Sequence, residues 1–534
     1  MNLFADTPPL ESPAAPVSLI YEKDVAIGTR DGVVLRGNLY RPTDNTPAPV
    51  LMTFGPYGKD TSLAARMKEQ YTALGGGVFL NWETPDPEYW VPRGYAVLRV
   101  DSRGSGASPG FMDPLSGTQV RDHYDAIEWA GSQPWSTGKV GLLGISYYAM
   151  SQWAVAALRP PHLAAMIPWE GAADSYRDFL RHGGILNADF IRMWANGNSR
   201  TRNPGSEGVD TFDKSREHPL DDGAYQGWSP DLTKIDVPFV SVGNWGNLML
   251  HLRGNVEGFV NAASQEKWLR ILVGGHVLPF YSPDALALQE SFFGHYLKGQ
   301  DTGWLDQPPV RVALRGPDGI RWRDDTTWPL SRTEWKDLYL DTGTLRLGET
   351  NPEAGSSAEY PAPNGTVSFA LHTDAPIHEI TGPVALRLWV SSTTADADLY
   401  VTLRQVTAAG EQVFGINPTG NPVQPIAQGW LRASHRKTDP EKSLPYRPFH
   451  THDEHQPLDP GEIVPLDIEV WPTSIVLSPG DRLFLDISSS DNDKLHFRMD
   501  SDDEERPAER FDGVNRIHTG PDHASYLRIP VIPG

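Results

Sequence analysis

The sequence predicts an α/β domain followed by an all-β domain, and three observations carry that expectation. Apolar runs of strand length alternate with helical patterns as far as Pro308-Pro309. Several of these runs lead into glycine-rich loops, as strands do at the carboxyl edge of a parallel sheet. Beyond Pro308-Pro309 the helical patterns stop, and short alternating strands separated by Gly, Pro and Asp turns continue to Ile532. At 534 residues the chain is too long for one core, and two or three domains are expected. The divisions read as an N-terminal arm over 1–20, an α/β domain over 21–310 with a cap inserted at 174–230, and a β-sandwich or jelly roll over 311–534.

In order, Val25 to Tyr40 alternates around an Asp31-Gly32 turn and predicts a hairpin. Val50–Phe54 and Tyr95–Val100 are apolar strands that run into Gly55-Pro56-Tyr57-Gly58 and Asp101–Gly106. A helix is expected between Tyr124 and Trp135, then a strand at Val140–Leu143, then a helix over Tyr147–Leu158 stopped by Pro160-Pro161. Ala164–Trp169, Val237–Gly243 and Trp268–Gly274 resume the strand pattern, and a helix over Pro283–Leu297 closes the unit. Val384–Val390, Leu399–Leu403 and Arg482–Ile487 are typical strands of the second half.

Ser146 sits between the Val140–Leu143 strand and the helix after it, in Gly144-Ile145-Ser146. A serine on so sharp a turn is held above the sheet with its Oγ exposed, and the N–H after it can face an oxyanion. Ser146 is the candidate nucleophile, although the same turn also suits a serine that only caps the helix. The local pattern is Gly-x-Ser-x-x-Ala, where the usual elbow has a second glycine.

Composition narrows the chemistry. Forty-six basic and 68 acidic residues give a net charge of −22, which disfavours nucleic acid and anionic membranes as partners. No cysteine is present, so disulfides, thiolate metal sites and a Cys nucleophile are excluded. No His/Asp/Glu cluster has metal-ligand spacing, no cofactor motif is present, and Asp101–Gly106 lacks the ending of a phosphate loop. Met1–Ser18 does not read as a signal peptide and no run reaches membrane-spanning length, so the expected location is cytoplasmic. With 17 Trp, 18 Tyr and 18 Phe, the chain is rich in side chains that line apolar sites, and a small-molecule substrate is expected. A homo-oligomer stays open.

Arg30-Asp31-Gly32 with Leu39–Pro42, Gly55–Gly58, Asp101–Gly106, Gln133–Gly141 and Gly144–Tyr147 resemble, in order, the cocaine esterase and X-prolyl dipeptidyl aminopeptidase group of serine α/β-hydrolases. Gly382–Leu386, Asp396–Asp398, Gly429–Arg432 and Ser478–Gly480 resemble the jelly roll of the same group. The resemblance implies an α/β-hydrolase domain followed by a jelly roll, with Ser146 as nucleophile. It implies an oxyanion hole made of the Tyr147 N–H and the hydroxyl of Tyr57, a phenol that stays a neutral donor at pH 7. It also exposes a departure. Asn247 stands where the group has its acid, and Pro279 where it has its histidine.

General hydrolase geometry offers substitutes. His276 follows the last strand of the α/β domain and becomes the expected base. Glu170, directly after the strand at Ala164–Trp169, becomes the expected acid. Asp174, or no acid with Asn247 as a neutral partner, remain alternatives. His182, His251 and His295 are further histidines near loops or helices. Two functions follow: a serine hydrolase cleaving an ester or amide through an acyl-enzyme, or a protein of the same fold with a degenerate triad that catalyses a non-hydrolytic step on a small metabolite or only binds it. A purely structural role is a third, which the retained serine elbow disfavours.

Overall fold

The computed structural model describes residues 17–371, 377–491 and 497–533, so most of the expected arm lies outside the described residues. The chain forms two compact units. The first holds residues up to Ser175, Arg192–Lys214 and Gly223–Pro309; the second holds Tyr176–Ile191, Ser215–Asp222 and Val310 onward. The segment expected as a single cap at 174–230 is therefore divided between them. It includes the helices Ala188–Thr201 and Thr211–Glu217.

The first unit is built on eight strands: β1 (Ile20–Gly28), β2 (Val34–Arg41), β3 (Ala48–Gly55), β4 (Ala96–Asp101), β5 (Ser136–Ile145), β6 (Leu163–Trp169), β7 (Phe239–Asn244) and β8 (Lys267–Leu272). Their spatial order is β1-β2-β4-β3-β5-β6-β7-β8. The β1/β2 and β2/β4 pairs are antiparallel and every other pair is parallel. β3 and β4 are buried along their whole length. Strands covered on both faces read as continuous apolar runs, and this is why both were visible in the sequence.

Helices α1 (Gly117–Gly131), α2 (Tyr147–Ala156), α3 (Leu252–Asn261) and α4 (Pro283–Lys298) accompany the sheet. α1 begins well before the predicted Tyr124, because the Ser116 hydroxyl accepts from the Gln119 N–H and caps it there. α3 was not predicted, since its glycines and Asn255 lower helix propensity. Gly258 is nonetheless required, because a Cβ there would lie 2.6 Å from the Trp153 ring.

The Asp101–Gly106 motif is scaffold. Asp101 accepts the N–H groups of Lys59 at 2.5 Å and Ala107 at 2.8 Å, and a Cβ on Gly106 would collide with the carboxyl at 2.2 Å.

The second unit is β-rich. β9 (Glu379–Ser392) pairs antiparallel with β11 (Val464–Val476), and β10 (Asp398–Val406) with β12 (Arg482–Ser488). Alternate residues such as Leu386, Leu388, Val401, Leu485 and Ile487 fill one core. Within this unit the buried Arg181 grips Glu505 with two nitrogens, at 2.6 and 3.0 Å.

Candidate active site

The site assembles at the carboxyl edge of the parallel strands. Ser146 joins β5 to α2 with φ 61 and ψ −120, and its side chain makes no capping hydrogen bond. This removes the helix-cap explanation and leaves the Oγ available. Positive φ costs a non-glycine residue about 1–3 kcal/mol, so the surroundings must enforce it. They do so by close packing. A Cβ on Gly144 would lie 2.6 Å from the Cβ of Tyr148, and one on Gly171 would lie 2.6 Å from the Cβ of Ala149. Tyr148 occupies the place of the usual second glycine because Gly55 opposite it has no side chain; a Cβ there would meet the Tyr148 ring at 2.8 Å.

The ring that faces Ser146 belongs to His251. Its Nε2 lies 3.2 Å from the Ser146 Oγ, while its Nδ1 meets the Ala172 N–H at 3.2 Å. His251 immediately precedes α3, and Asn255 anchors that helix. Asn255 accepts the Gly171 N–H at 3.0 Å and donates to the Pro168 carbonyl at 3.1 Å and the Ser241 hydroxyl at 3.0 Å. Burial takes the His251 ring well below the ordinary histidine value; the charge of His276 adds to this and a bond to the Leu250 carbonyl opposes it. His251 is therefore neutral and buried.

His276 is placed otherwise than expected. Its Nδ1 lies 2.8 Å from Glu170 Oε2 and its Nε2 lies 3.1 Å from Glu83 Oε1. Both ring nitrogens are thus engaged by carboxyl groups, and His276 does not serve as the partner of Ser146. Burial opposes charging this ring, but Glu170 and Glu83 outweigh it and raise His276 to about 10. The Glu170–His276 pairing itself is present, one ring removed from Ser146: the His251 and His276 rings stack at 6.0 Å with 16° between their planes. Asn247 donates to Glu170 at 2.5 Å, joined by Asn244 at 3.2 Å, so two amides hold the carboxyl that pairs with His276.

Tyr57 accepts a 2.9 Å hydrogen bond from the Trp194 indole, and the Ser146 side chain lies near enough to act on its phenol. Burial, with the charge of Glu83 behind it, pushes its phenol upward, so the hydroxyl remains a neutral donor. Tyr147 takes the first position of α2, where a backbone N–H has no partner within the helix. Its hydroxyl is tied to the Pro114 carbonyl at 2.5 Å, and its ring stacks on Trp228 at 5.2 Å and Trp194 at 6.1 Å.

Sequence reasoning missed Glu83 and passed over His251. The usable signal for His251 was its place four residues past Asn247, in the loop that follows β7. Glu83 carried no motif. Among the described residues no group of three or more His, Cys, Asp or Glu is arranged to hold a metal, and no helix is long and apolar enough to cross a membrane.

An elbow serine at the edge of this sheet, with a β-rich domain downstream, is the plan of a serine hydrolase that carries a catalytic domain and a non-catalytic one. Comparison with known proteins agrees. The model of the X-Pro dipeptidyl-peptidase (S15) family matches residues 31–277, and that of the X-Pro dipeptidyl-peptidase C-terminal non-catalytic domain matches 302–528. The chain is 33% identical to a CocE/NonD family hydrolase from Staphylococcus aureus, with a TM-score of 0.89 over 96% of this chain and 94% of that one. It is 26% identical to the cocaine esterase of Rhodococcus sp. (strain MB1 Bresler), over 95% of this chain and 98% of the relative. An aminopeptidase from a marine sediment archaeon, 17% identical, shares the fold at a TM-score of 0.74 over 98% of this chain and 99% of that one. The chain belongs to the CocE/NonD family of hydrolases.

Proposed function

We propose that this α/β-hydrolase with a C-terminal jelly roll cleaves a small-molecule ester or amide through an acyl-enzyme on Ser146, with His251 as the base. The observation that carries this reading is the 3.2 Å contact between Ser146 Oγ and His251 Nε2 at a strained, uncapped elbow. A neutral imidazole takes the serine proton as the Oγ attacks and returns it to the leaving group. The Leu250 carbonyl, bonded to the ring, favours its charged form as the proton arrives and takes the place of an orienting carboxylate. Tyr57 and the Tyr147 N–H stabilise the oxyanion. The stacked rings of Tyr147, Trp194 and Trp228 beside the elbow support an apolar or aromatic acyl group.

The deciding experiment is intact-mass detection of acylation by a p-nitrophenyl ester and by a fluorophosphonate. One adduct per chain is expected, abolished by Ser146→Ala and nearly abolished by His251→Ala. No adduct on the unsubstituted protein, or labelling indifferent to His251, would sink this reading.

A further inference from the structure

Glu83 has no part in the attack just described, yet the fold fixes it with unusual care. Nine non-glycine residues among those described have positive φ, and Glu83 (59°), Ser146 (61°) and Glu170 (49°) are three of them. Strain of this kind collects at functional sites and persists only when neighbours hold it. The chain on either side of Glu83 is held by side chains from elsewhere. Arg99 donates to the carbonyls of Phe79 at 2.8 Å and Pro85 at 2.7 Å, and the Tyr281 hydroxyl reaches those of Thr84 at 2.8 Å and Asn81 at 3.2 Å. The Glu83 carbonyl itself accepts the Ile145 N–H at 3.1 Å, next to the nucleophile.

The carboxyl ends a chain running Glu170–His276–Glu83. Its Oε1 is taken by His276, while its Oε2, in a side chain buried to 2% exposure, has no hydrogen-bond partner. A buried carboxyl oxygen without a donor is costly and calls for a reason. Its surroundings lead back to Ser146: Glu83 pairs with His276, His276 stacks on His251, His251 meets the Oγ, and Tyr57, near the same serine, feels the charge of Glu83.

We propose that Glu83 is a further catalytic residue, the proton acceptor for the water that releases the acyl group from Ser146, with His276 and Glu170 as its positioning residues. The proposal rests on the acyl-enzyme reading above. As the water oxygen bonds to the acyl carbon, one water proton passes to Glu83. The tetrahedral adduct then breaks its bond to the Oγ, the free acid departs, and the proton held by Glu83 goes to the Oγ. One water is consumed and serine and carboxylate are restored. His251 serves the first half of the cycle and Glu83 the second. Burial raises the Glu83 carboxyl, with His276 pulling against it, and so brings its basicity toward the working range of a general base.

The test is Glu83→Gln in the full chain, followed by rapid mixing with p-nitrophenyl acetate. The expected result is an intact burst of one p-nitrophenol per chain, steady turnover lowered about 10²-fold or more, and an accumulating Ser146 acyl adduct seen by intact mass. Hydroxylamine, a nucleophile that needs no base, should discharge that adduct. His276→Gln should keep the burst and slow turnover less. A folded Glu83→Gln that loses burst and turnover together, or keeps both, overturns the proposal. If Glu83→Gln does not fold, Glu83→Ala with added formate replaces it: restored turnover supports the role, and a formate-indifferent, folded variant overturns it. A Ser146→Ala chain that turns over as fast as the unsubstituted protein would instead overturn the acyl-enzyme reading, and this proposal with it.

Discussion

His251 and His276 lie stacked 6.0 Å apart in one buried site and have opposite characters. Burial alone would keep either ring neutral. His251 follows that rule, because among its contacts are a hydroxyl and backbone groups, while His276 breaks it because a carboxyl group faces each of its nitrogens. The lesson is that position in the fold does not assign the role. His276 stands where a hydrolase of this fold has its base, but its partners make it a fixed cation; His251, in the loop where the acid is expected, has the properties a base needs.

The largest effect should separate the two rings by rate. His251→Ala is expected to lower acylation by roughly 10⁴-fold, and His276→Gln by no more than about 10-fold, in stopped-flow release of p-nitrophenol. Equal losses from both substitutions would show that the two rings share one role. In histidine-labelled protein, NMR titration should show one imidazole that stays protonated toward about pH 10 and another that resists protonation well below the ordinary value.

The next effect is on stability, and its sign differs between the rings. The pKa of His276 is raised on folding, so its contribution is complete below the unfolded value near 6.5 and is lost as pH rises toward about 10. The pKa of His251 is depressed, so its contribution is present above that unfolded value and is lost as pH falls below it. His123, lowered to about 3 by burial, adds to the same acid limb. Denaturant unfolding at several pH values should therefore show a decline on both sides. His276→Gln should flatten the alkaline decline and cost about 3–5 kcal/mol at pH 7, as expected when one member of a buried ion pair is removed. An unchanged alkaline limb would show that His276 is not held as a cation.

The strands of the parallel sheet and the elbow were legible because strands covered on both faces are continuous apolar runs and because Gly144, Ser146 and Pro160 punctuate them. The motifs shared with the family are largely scaffold signals, as the packing of Gly106 against Asp101 shows. The positions of Ser146 and Tyr57 and the closeness of Glu170 to His276 could be read for the same reason: each lies within a few residues of a strand end, where sequence position determines location. His251 and Glu83 could not. His251 depends on α3, a helix weak in propensity and built by tertiary contacts of Asn255 and Gly258. Glu83 depends on Arg99, on the strand that follows, and on Tyr281, far along the chain, which together hold its loop.

The smallest effect tests whether position 247 is an acid position at all. If Asn247 were a vacant acid position in an otherwise ordinary triad, Asn247→Asp would restore a carboxylate to the base and raise turnover. The contacts oppose this. Asn247 Nδ2 donates to Glu170 Oε2 at 2.5 Å, so the substitution would exchange a donor for a second carboxyl at hydrogen-bond distance from the first. Like charges so close and so buried cannot both ionise, and one proton must be shared between them. The result would weaken the hold of Glu170 on His276 while leaving His251 with its backbone partners. Acylation should then stay within a few-fold of the unsubstituted rate, and the titration of His276 should move to lower pH. A gain in acylation would place the orienting acid at position 247 after all and return His251 to the conventional triad.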